Sequence, residues 1–309
     1  MSRIALISTP WPLFNCPSIQ LGTLKAFARQ SLPKVRVDTH HVYLSVANVL
    51  GYDLYSQISE RTWLSELPYA ALLYQERKEI ITRFWRRQSS RLPLCQKTNF
   101  KEILDKLETV SDQILRSLNW QDYDLVGLSI CFGQLTSSLF FIHQIKQRSP
   151  SLKIVVGGSA CAGELGRSLL HVFSEIDFVI SGEGELPLVH LIRWLSSSGG
   201  KGKPDPIPGL LGRNHGSGCE TEEFSQLPQL DQLPMPDYSD YFTHLKSLQP
   251  HRVFIPKLPM EISRGCWWGK NIAGRTSRGC AFCNLNLQWQ GYRAKPQEKV
   301  IAELDALTK

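Results

Sequence analysis

The 309-residue sequence has 42% hydrophobic and 20% charged residues, a composition that supports one or two domains with real hydrophobic cores and argues against disorder. No segment approaches the roughly 18 apolar residues of a membrane-spanning helix, and the N-terminus does not resemble a signal peptide. We therefore expect a cytoplasmic protein without a membrane partner. The net charge of +7 comes from basic residues spread along the chain, so nucleic-acid binding is not favoured.

Short apolar runs that end in turn-forming residues predict five strands, with helical patterns between them. The predicted strands cover residues 3–9, 35–44, 124–132, 153–158 and 177–181. The predicted helices cover residues 19–30, 99–118 and 135–147, followed by a fourth that ends at 195. This alternation predicts an α/β fold built on a doubly wound parallel sheet.

Residues 48–95 interrupt the alternation with helical, aromatic-rich sequence. The segment ends in a basic cluster of Arg83, Arg86, Arg87 and Arg91. We predict a helical insertion that either covers the sheet as a packing layer or forms a lid or partner-docking surface.

Short loops follow four of the predicted strands, at the edge where open parallel sheets bind ligands. Their candidate residues are Ser8, Thr9, Trp11, Ser129, Cys131, Gly157, Gly158, Ser159, Gly182, Glu183 and Gly184. Neither G-x-G-x-x-G nor G-x-x-x-x-G-K-[ST] follows the first strand, so a nicotinamide or nucleoside triphosphate site is not supported. The glycines are explained either by close backbone approach to a broad, flat ligand or by ordinary turn formation.

Residues 201–256 have the composition of a connecting segment. A small hairpin is predicted at 207–213, and three prolines make 227–238 a semi-extended tether. The chain then reaches its cysteine-rich stretch.

Three cysteines, Cys266, Cys280 and Cys283, lie between a predicted strand at 257–263 and a predicted helix at 296–308. Three thiolates make an incomplete tetrahedral zinc site, but they are a complete set for an iron–sulfur cluster that leaves one iron open to a small ligand. The eight cysteines as a whole fit a reducing compartment better than a disulfide framework.

The cysteine stretch resembles the first βα unit of a radical S-adenosylmethionine (SAM) barrel. The motifs SRGCWWG (263–269), CxFC (280–283) and GYRxK (291–295) are similar to those of radical SAM proteins that mature ribosomally made peptides. The preceding sheet pattern, with its GG and GEGE strand ends and its P-x-P-D-Y tether, resembles the cobalamin-binding subclass.

The resemblance implies a domain organisation. It predicts a cobalamin-binding-like Rossmann domain over 1–200, a hairpin and linker over 201–256, and the start of a radical SAM (β/α) barrel over 257–309. A full barrel runs to roughly 250 residues, so the resemblance also implies that the chain holds only the N-terminal fragment of that barrel.

The resemblance also implies cofactors and site residues. In that family three cysteines hold a 4Fe-4S cluster, whose open iron binds S-adenosyl-L-methionine; reductive cleavage then yields a deoxyadenosyl radical that abstracts a substrate hydrogen. By resemblance, Cys266, Cys280 and Cys283 are the cluster ligands and Phe282 lies beside the adenine. The eleven strand-end residues named above would line the corrin pocket of cobalamin, the methyl carrier. The implied activity is C-methylation of a ribosomally synthesised precursor peptide, with an external electron donor.

Two further expectations concern possible ligand residues. Cobalamin domains with a histidine ligand carry Asp-x-His-x-x-Gly after the first strand, whereas Asp38 and His40 reproduce only half of this motif and fall within the second strand. We therefore expect a pocket without a histidine ligand. Four other cysteines are expected to pack as small apolar residues: Cys16, Cys95, Cys131 and Cys161.

The alternative hypothesis is a non-catalytic binding module. In it, Cys219 or His251 would complete a structural zinc site with Cys266, Cys280 and Cys283, and the basic loop would bind a peptide or nucleic acid.

Overall fold

A six-stranded sheet forms the centre of the molecule in a computed structural model that describes residues 2–213, 224–248, 254–266 and 291–307. Its strands are β1 Arg3–Ser8, β2 Arg36–His41, β3 Leu125–Ser129, β4 Lys153–Gly157, β5 Phe178–Ile180 and β6 Leu210–Gly212. Their order is β2-β1-β3-β4-β5-β6. The first five strands are parallel, and β6 pairs antiparallel with β5 at one edge.

Twelve α-helices lie within the described residues. They are α1 Ile19–Ser31, α2 Val42–Leu50, α3 Tyr52–Ser59, α4 Thr62–Leu73, α5 Lys78–Gln88, α6 Pro93–Lys97, α7 Phe100–Ser117, α8 Leu135–Arg148, α9 Gly163–Val172, α10 Glu185–Ser198, α11 Ser239–Ser247 and α12 Gln297–Leu307. None of the described helices is long and apolar enough to cross a membrane.

The central strands are buried on both faces, as expected for a parallel sheet covered by helices on each side. On one face, Ile4 and Leu6 of β1 pack in a core with α1 and α10. On the other face, Ala5 and Ile7 pack in a larger core with α2 to α4, α7 and α8. The structure thus confirms the predicted α/β fold with a mostly parallel sheet, in a Rossmann-like arrangement.

The strand order contains a topological switch next to β1. After β1 the chain builds β2 on one side, and every later strand of the sheet is added on the other side, beginning with β3. The connections on either side of this point leave the sheet in opposite directions, which opens a crevice at the carboxyl ends of the strands.

The predicted second strand, 35–44, is wrong at its end. β2 stops at His41, and Val42 begins the buried helix α2. Within α2, Tyr43, Val46 and Ala47 are fully buried. The apolar residues Val42, Tyr43 and Leu44 follow the strand directly, with no turn residue between, so sequence patterning alone did not mark where the strand ends.

The segment predicted as a helical insertion, 48–95, contains helices that cover one face of the sheet. Tyr55 and Tyr69 from α3 and α4 are fully buried in the larger core. The following helix α7 starts where predicted, because the Asn99 side chain accepts a hydrogen bond from the backbone N–H of Lys101 at 2.9 Å.

Parts of the segment 201–256 pack on the sheet domain. Residues 207–213, predicted as a hairpin, contribute the edge strand β6. Leu227, Leu230 and Leu233 of the Pro-rich tether are buried in the same core as α1 and α10.

Residues after the tether form a short antiparallel pair, β7 Ser263–Gly265 with β8 Tyr292–Ala294. These strands flank residues 267–290, which the structure does not describe. A buried ion pair between Lys295 and Glu303, 2.7 Å between Nζ and Oε2, ties the end of β8 to α12. The strand predicted at 257–263 is wrong except at Ser263, where β7 begins, and the helix predicted at 296–308 is α12. The described residues do not confirm the expected start of a barrel.

Candidate functional site

A cleft of about 510 Å³ lies at the carboxyl ends of β3, β4 and β5. The first turns of α1 form one wall, the turn before α10 forms a second, and β7 forms a third. The cleft therefore occupies the edge of the sheet where the strand order reverses, which is the usual ligand site of open α/β sheets. Its volume falls within the roughly 300–1,000 Å³ of small-molecule sites.

The structure brings together most of the residues predicted from the strand ends. The cleft is lined by Ser129, Cys131, Gly157, Gly158, Ser159, Gly182, Glu183 and Gly184. Three of the predicted residues, Ser8, Thr9 and Trp11, are not part of its lining.

The loop after β1 is instead buried against α8 and the helical insertion. The Thr9 hydroxyl hydrogen-bonds the Ser138 hydroxyl at 2.8 Å, and Gln134 donates from Nε2 to the Thr9 carbonyl at 2.6 Å. The Trp11 ring packs 5.0 Å from the Tyr55 ring, centroid to centroid. These contacts give the loop a packing role, which its sequence did not reveal because the partners lie far away in the chain.

Two adjacent glycines at the end of β4 owe their identity to different causes. Gly158 has φ of 101°, and a Cβ there would lie 2.6 Å from the Ile130 carbonyl oxygen, so the backbone itself requires glycine. Gly157 has no positive φ, and its Cβ would make only an ordinary contact at 3.5 Å with Ile180. The backbone therefore does not require glycine at position 157, where the cleft floor has no side chain.

Glu183 and Glu185 in the turn before α10 bind arginines from the strands that flank the undescribed cysteine stretch. Arg264 of β7 lies 3.3 Å from Glu183 and 2.7 Å from Glu185, measured between Nη1 and Oε2 and between Nη2 and Oε1. Arg293 of β8 lies 2.5 Å from Glu183, between Nη2 and Oε1. We call Glu183, Glu185, Arg264 and Arg293 the carboxylate–arginine clamp.

The carboxylate–arginine clamp is almost entirely removed from solvent. The Glu183 and Glu185 side chains are 3% and 4% exposed, and those of Arg264 and Arg293 are 13% and 12% exposed. Burial alone would lower the pKa of Arg264, but Glu185 and a third carboxylate, Glu261, raise it above its ordinary value. The clamp thus holds the segment around Cys266 against the cleft through buried ion pairs in which the Arg264 guanidinium stays charged.

Cys266 follows β7 directly and is partly exposed. The three residues before it all line the cleft. The other predicted cluster residues, Cys280, Phe282 and Cys283, lie outside the described residues, as do Cys219 and His251 of the alternative zinc set. Among the described residues, no group of three or more His, Cys, Asp or Glu side chains is arranged to hold a metal ion.

The remaining cysteines differ in their surroundings. Burial raises the pKa of the Cys161 thiol to about 12 and that of Cys95 to about 11, so both are protonated at neutral pH. Cys131 is partly exposed at the cleft. It is therefore the described cysteine placed to touch a ligand from the sheet side.

His40 lies in β2 away from the cleft lining. Its Nε2 is 3.3 Å from the Tyr123 hydroxyl, which donates in turn to Asp38. Burial lowers the pKa of His40 to about 4, so this imidazole is neutral at physiological pH and belongs to a packed network at the sheet edge.

Sequence reasoning missed two parts of the cleft wall. The first is the start of α1, including Gln20 and Leu24, which could have been inferred because the helix after β1 begins at the same edge of the sheet. The second is Arg264, whose role depends on partners about eighty positions earlier in the chain and has no local signal.

Comparison with known proteins does not assign a family. No protein-family model matches the chain, and no curated protein matches it either. Any functional assignment therefore depends on the motifs and on the geometry of the cleft.

Proposed function

We propose that the chain is a cobalamin-dependent radical SAM protein, or the cobalamin-binding part of one, that modifies a ribosomally made peptide, most simply by C-methylation. The observation that carries the proposal is a juxtaposition: the strand-end cleft of the sheet and the segment leading to Cys266 share one wall. A cofactor in the cleft and a cluster held by the cysteine stretch would then be neighbours.

The cleft suits one edge of a broad, flat group. Its floor carries Ser129, Gly157 and Ser159, and its walls carry apolar side chains such as Leu24 and Leu188. The backbone at position 157 does not require glycine, and a glycine there is expected where a ligand approaches the strand end. No histidine is part of the cleft lining, so the described residues would hold cobalamin without an imidazole on cobalt.

Different residues of the chain would bind the cluster, S-adenosyl-L-methionine and cobalamin. Cys266, with Cys280 and Cys283, would supply thiolates to a 4Fe-4S cluster, and Phe282 would contact the adenine of S-adenosyl-L-methionine. Ser129, Cys131 and Gly157 would contact cobalamin. The bound cofactors would supply radical and methyl-transfer chemistry, with electrons from an external donor.

The carboxylate–arginine clamp would position the two sites relative to each other. Because Glu183 bonds arginines on both β7 and β8, it holds both ends of the cysteine stretch at once. In this role Glu183 and Glu185, which also line the cleft, support the cofactor site through Arg264 and Arg293.

Anaerobic reconstitution with iron and sulfide tests the cluster. We expect a brown, air-sensitive protein with about four irons per chain, and loss of most of this iron in Cys266→Ser, Cys280→Ser and Cys283→Ser. Cys16→Ser, which changes a thiol outside the motif, serves as the control and should retain its iron. A colourless protein that binds stoichiometric zinc through the same cysteines would instead establish the structural-metal alternative.

Titration with hydroxocobalamin, followed by its visible spectrum, tests the cleft. Gly157→Val should weaken binding at least about tenfold because its branched side chain would project from the cleft floor. His40→Ala should leave binding unchanged. Cobalamin binding that survives Gly157→Val but is lost in His40→Ala would contradict the assignment of the cleft.

A further inference from the structure

The end of the helical insertion and the start of α7 have a local excess of positive charge. Residues 75–101 contain eight lysines and arginines and two glutamates, a net charge of +6, while the whole chain has +7. The charge is therefore concentrated on one part of the surface, although the sequence as a whole suggested a dispersed distribution. A field of this kind attracts anionic partners.

None of these eight cations forms an ion pair with a carboxylate of the described residues, even though Glu76 and Glu79 lie in the same segment. The neighbouring helix α7 behaves differently: Lys106 pairs with Glu102 at 2.8 Å and Arg116 pairs with Asp112 at 2.8 Å. The insertion thus presents positive charge that the fold leaves uncompensated.

Four of the cations converge on a cavity of about 620 Å³ between α5, α6 and the start of α7. They are Lys78, Arg86, Lys97 and Lys101, and no carboxylate belongs to the cavity lining. We call this cavity the basic cavity. It shares no lining residue with the strand-end cleft.

The floor of the basic cavity is apolar. Trp85 and Phe100 stack on each other with 4.5 Å between their ring centroids, and Leu104 lies beside them. The two rings are only 2% and 7% exposed, so they are not available to stack on nucleic-acid bases. The accessible part of the cavity lining therefore consists mainly of the cations and polar groups, which suit a segment that carries carboxylates.

We propose that the basic cavity binds an acidic polypeptide segment, with its carboxylates on Lys78, Arg86, Lys97 and Lys101. Arg83, Arg87 and Arg91 on the neighbouring surface extend the positive field and steer such a segment toward the cavity. The inference is independent of the chemistry proposed for the cleft and requires no cofactor.

Fluorescence anisotropy with a labelled peptide of repeated Glu-Glu-Leu units tests the proposal in the full chain at low salt. The variant Arg86→Glu/Lys97→Glu/Lys101→Glu should bind at least about tenfold more weakly, because three attractive contacts become repulsive. All three positions are exposed, and circular dichroism should show an unchanged fold.

The matched control makes the same change of charge elsewhere. Arg193, Lys201 and Lys246 are also exposed, and none of them forms an ion pair with a described residue. The triple Glu variant at these positions should bind the peptide within about threefold of the unchanged protein, while a Gln-Gln-Leu peptide should not bind.

Three results would overturn the proposal. They are absence of peptide binding, equal loss of affinity in the two triple variants, and tighter binding of a single-stranded oligonucleotide or of phosphatidylcholine–phosphatidylserine vesicles than of the acidic peptide.

Discussion

Individual buried polar residues show how strongly the surroundings set their chemistry. His41, at the end of β2, is 2% exposed and lies between Tyr43 and Tyr241, with ring centroids 5.6 and 5.3 Å away. Neither ring nitrogen has a hydrogen-bond partner among the described residues. Burial, helped by His244, lowers the pKa of His41 to about 3, so the folded protein keeps this imidazole neutral.

The free energy of unfolding should therefore depend on His41 in acid. The unfolded chain binds a proton at this position below its ordinary pKa of 6.5, whereas the folded chain does so only near 3. Stability is thus lost as the pH falls through this window, by up to about 1.4 kcal/mol per pH unit. His41→Phe removes the loss, and we expect it to gain roughly 2 kcal/mol over the unchanged protein at pH 5 relative to pH 8.

Urea unfolding at pH 5, 6 and 8 measures this difference. The exposed residue His171 provides the control, since His171→Phe should leave the pH dependence unaltered. An identical pH profile for His41→Phe and the unchanged protein would show that His41 does not control acid stability.

At the scale of single elements, the two adjacent glycines at the end of β4 differ in whether the backbone requires them. Backbone geometry requires glycine at 158 but not at 157, so turn formation explains Gly158, and ligand approach stays a proposal for Gly157. A sequence pattern of two adjacent glycines cannot distinguish them, because φ and the distance to Ile130 are properties of the folded chain.

Alanine should therefore have a large effect on stability at position 158 and a small effect at position 157. Gly158→Ala forces a Cβ against the Ile130 carbonyl at a backbone conformation that L-residues rarely adopt, and we expect a loss of about 3 kcal/mol. Gly157→Ala adds a methyl group in ordinary contact and should leave the stability within about 1 kcal/mol of its starting value.

Chemical denaturation of the two single variants, read by circular dichroism, gives both values. Equal destabilisation would mean that the end of β4 tolerates no side chain at either position, and the distinction drawn from the geometry would be lost.

At the scale of the whole molecule, the carboxylate–arginine clamp joins the sheet domain to β7 and β8. Glu183 is its centre, because it also accepts a hydrogen bond from the Leu227 backbone N–H at 2.6 Å and so holds the tether. Removing one partner from a buried ion pair leaves the other charge uncompensated, which is costlier than the pair's own contribution to stability.

Glu183→Gln keeps the shape of the side chain but removes its charge from between Arg264 and Arg293. We expect the free energy of unfolding to fall by about 3 kcal/mol, and limited proteolysis within 254–307 to become faster. The exposed residue Glu164, whose side chain is 89% exposed, gives the control: Glu164→Gln should change stability by less than about 0.5 kcal/mol. Unchanged proteolysis in Glu183→Gln would show that the clamp does not hold this segment.

The distribution of positive charge is also a property of the whole molecule. The basic cavity lies on the helical insertion and shares no lining residue with the strand-end cleft. Of the two roles that the sequence left as alternatives, the structure shows the packing layer, with residues such as Tyr55 and Tyr69 buried against the sheet. The role of a partner-docking surface stays a proposal.

The sequence by itself determined the alternation of strands and helices and the position of the loops at the strand ends. Local patterns carry this information, because side-chain periodicity and turn residues act over a few positions. The apolar run at Val42 marks the limit of such patterns, since a fully buried helix and a buried strand share the same composition.

Only the tertiary structure decided which loop residues meet. Thr9 and Trp11 turn into the core, Ser129 and Gly157 line the cleft, and Arg264 binds Glu185, which lies 79 positions earlier in the chain. These relations depend on strand order and on packing between distant segments. The partner of a buried carboxylate is set by the folded structure, and the spacing of the two residues in the sequence does not predict their contact.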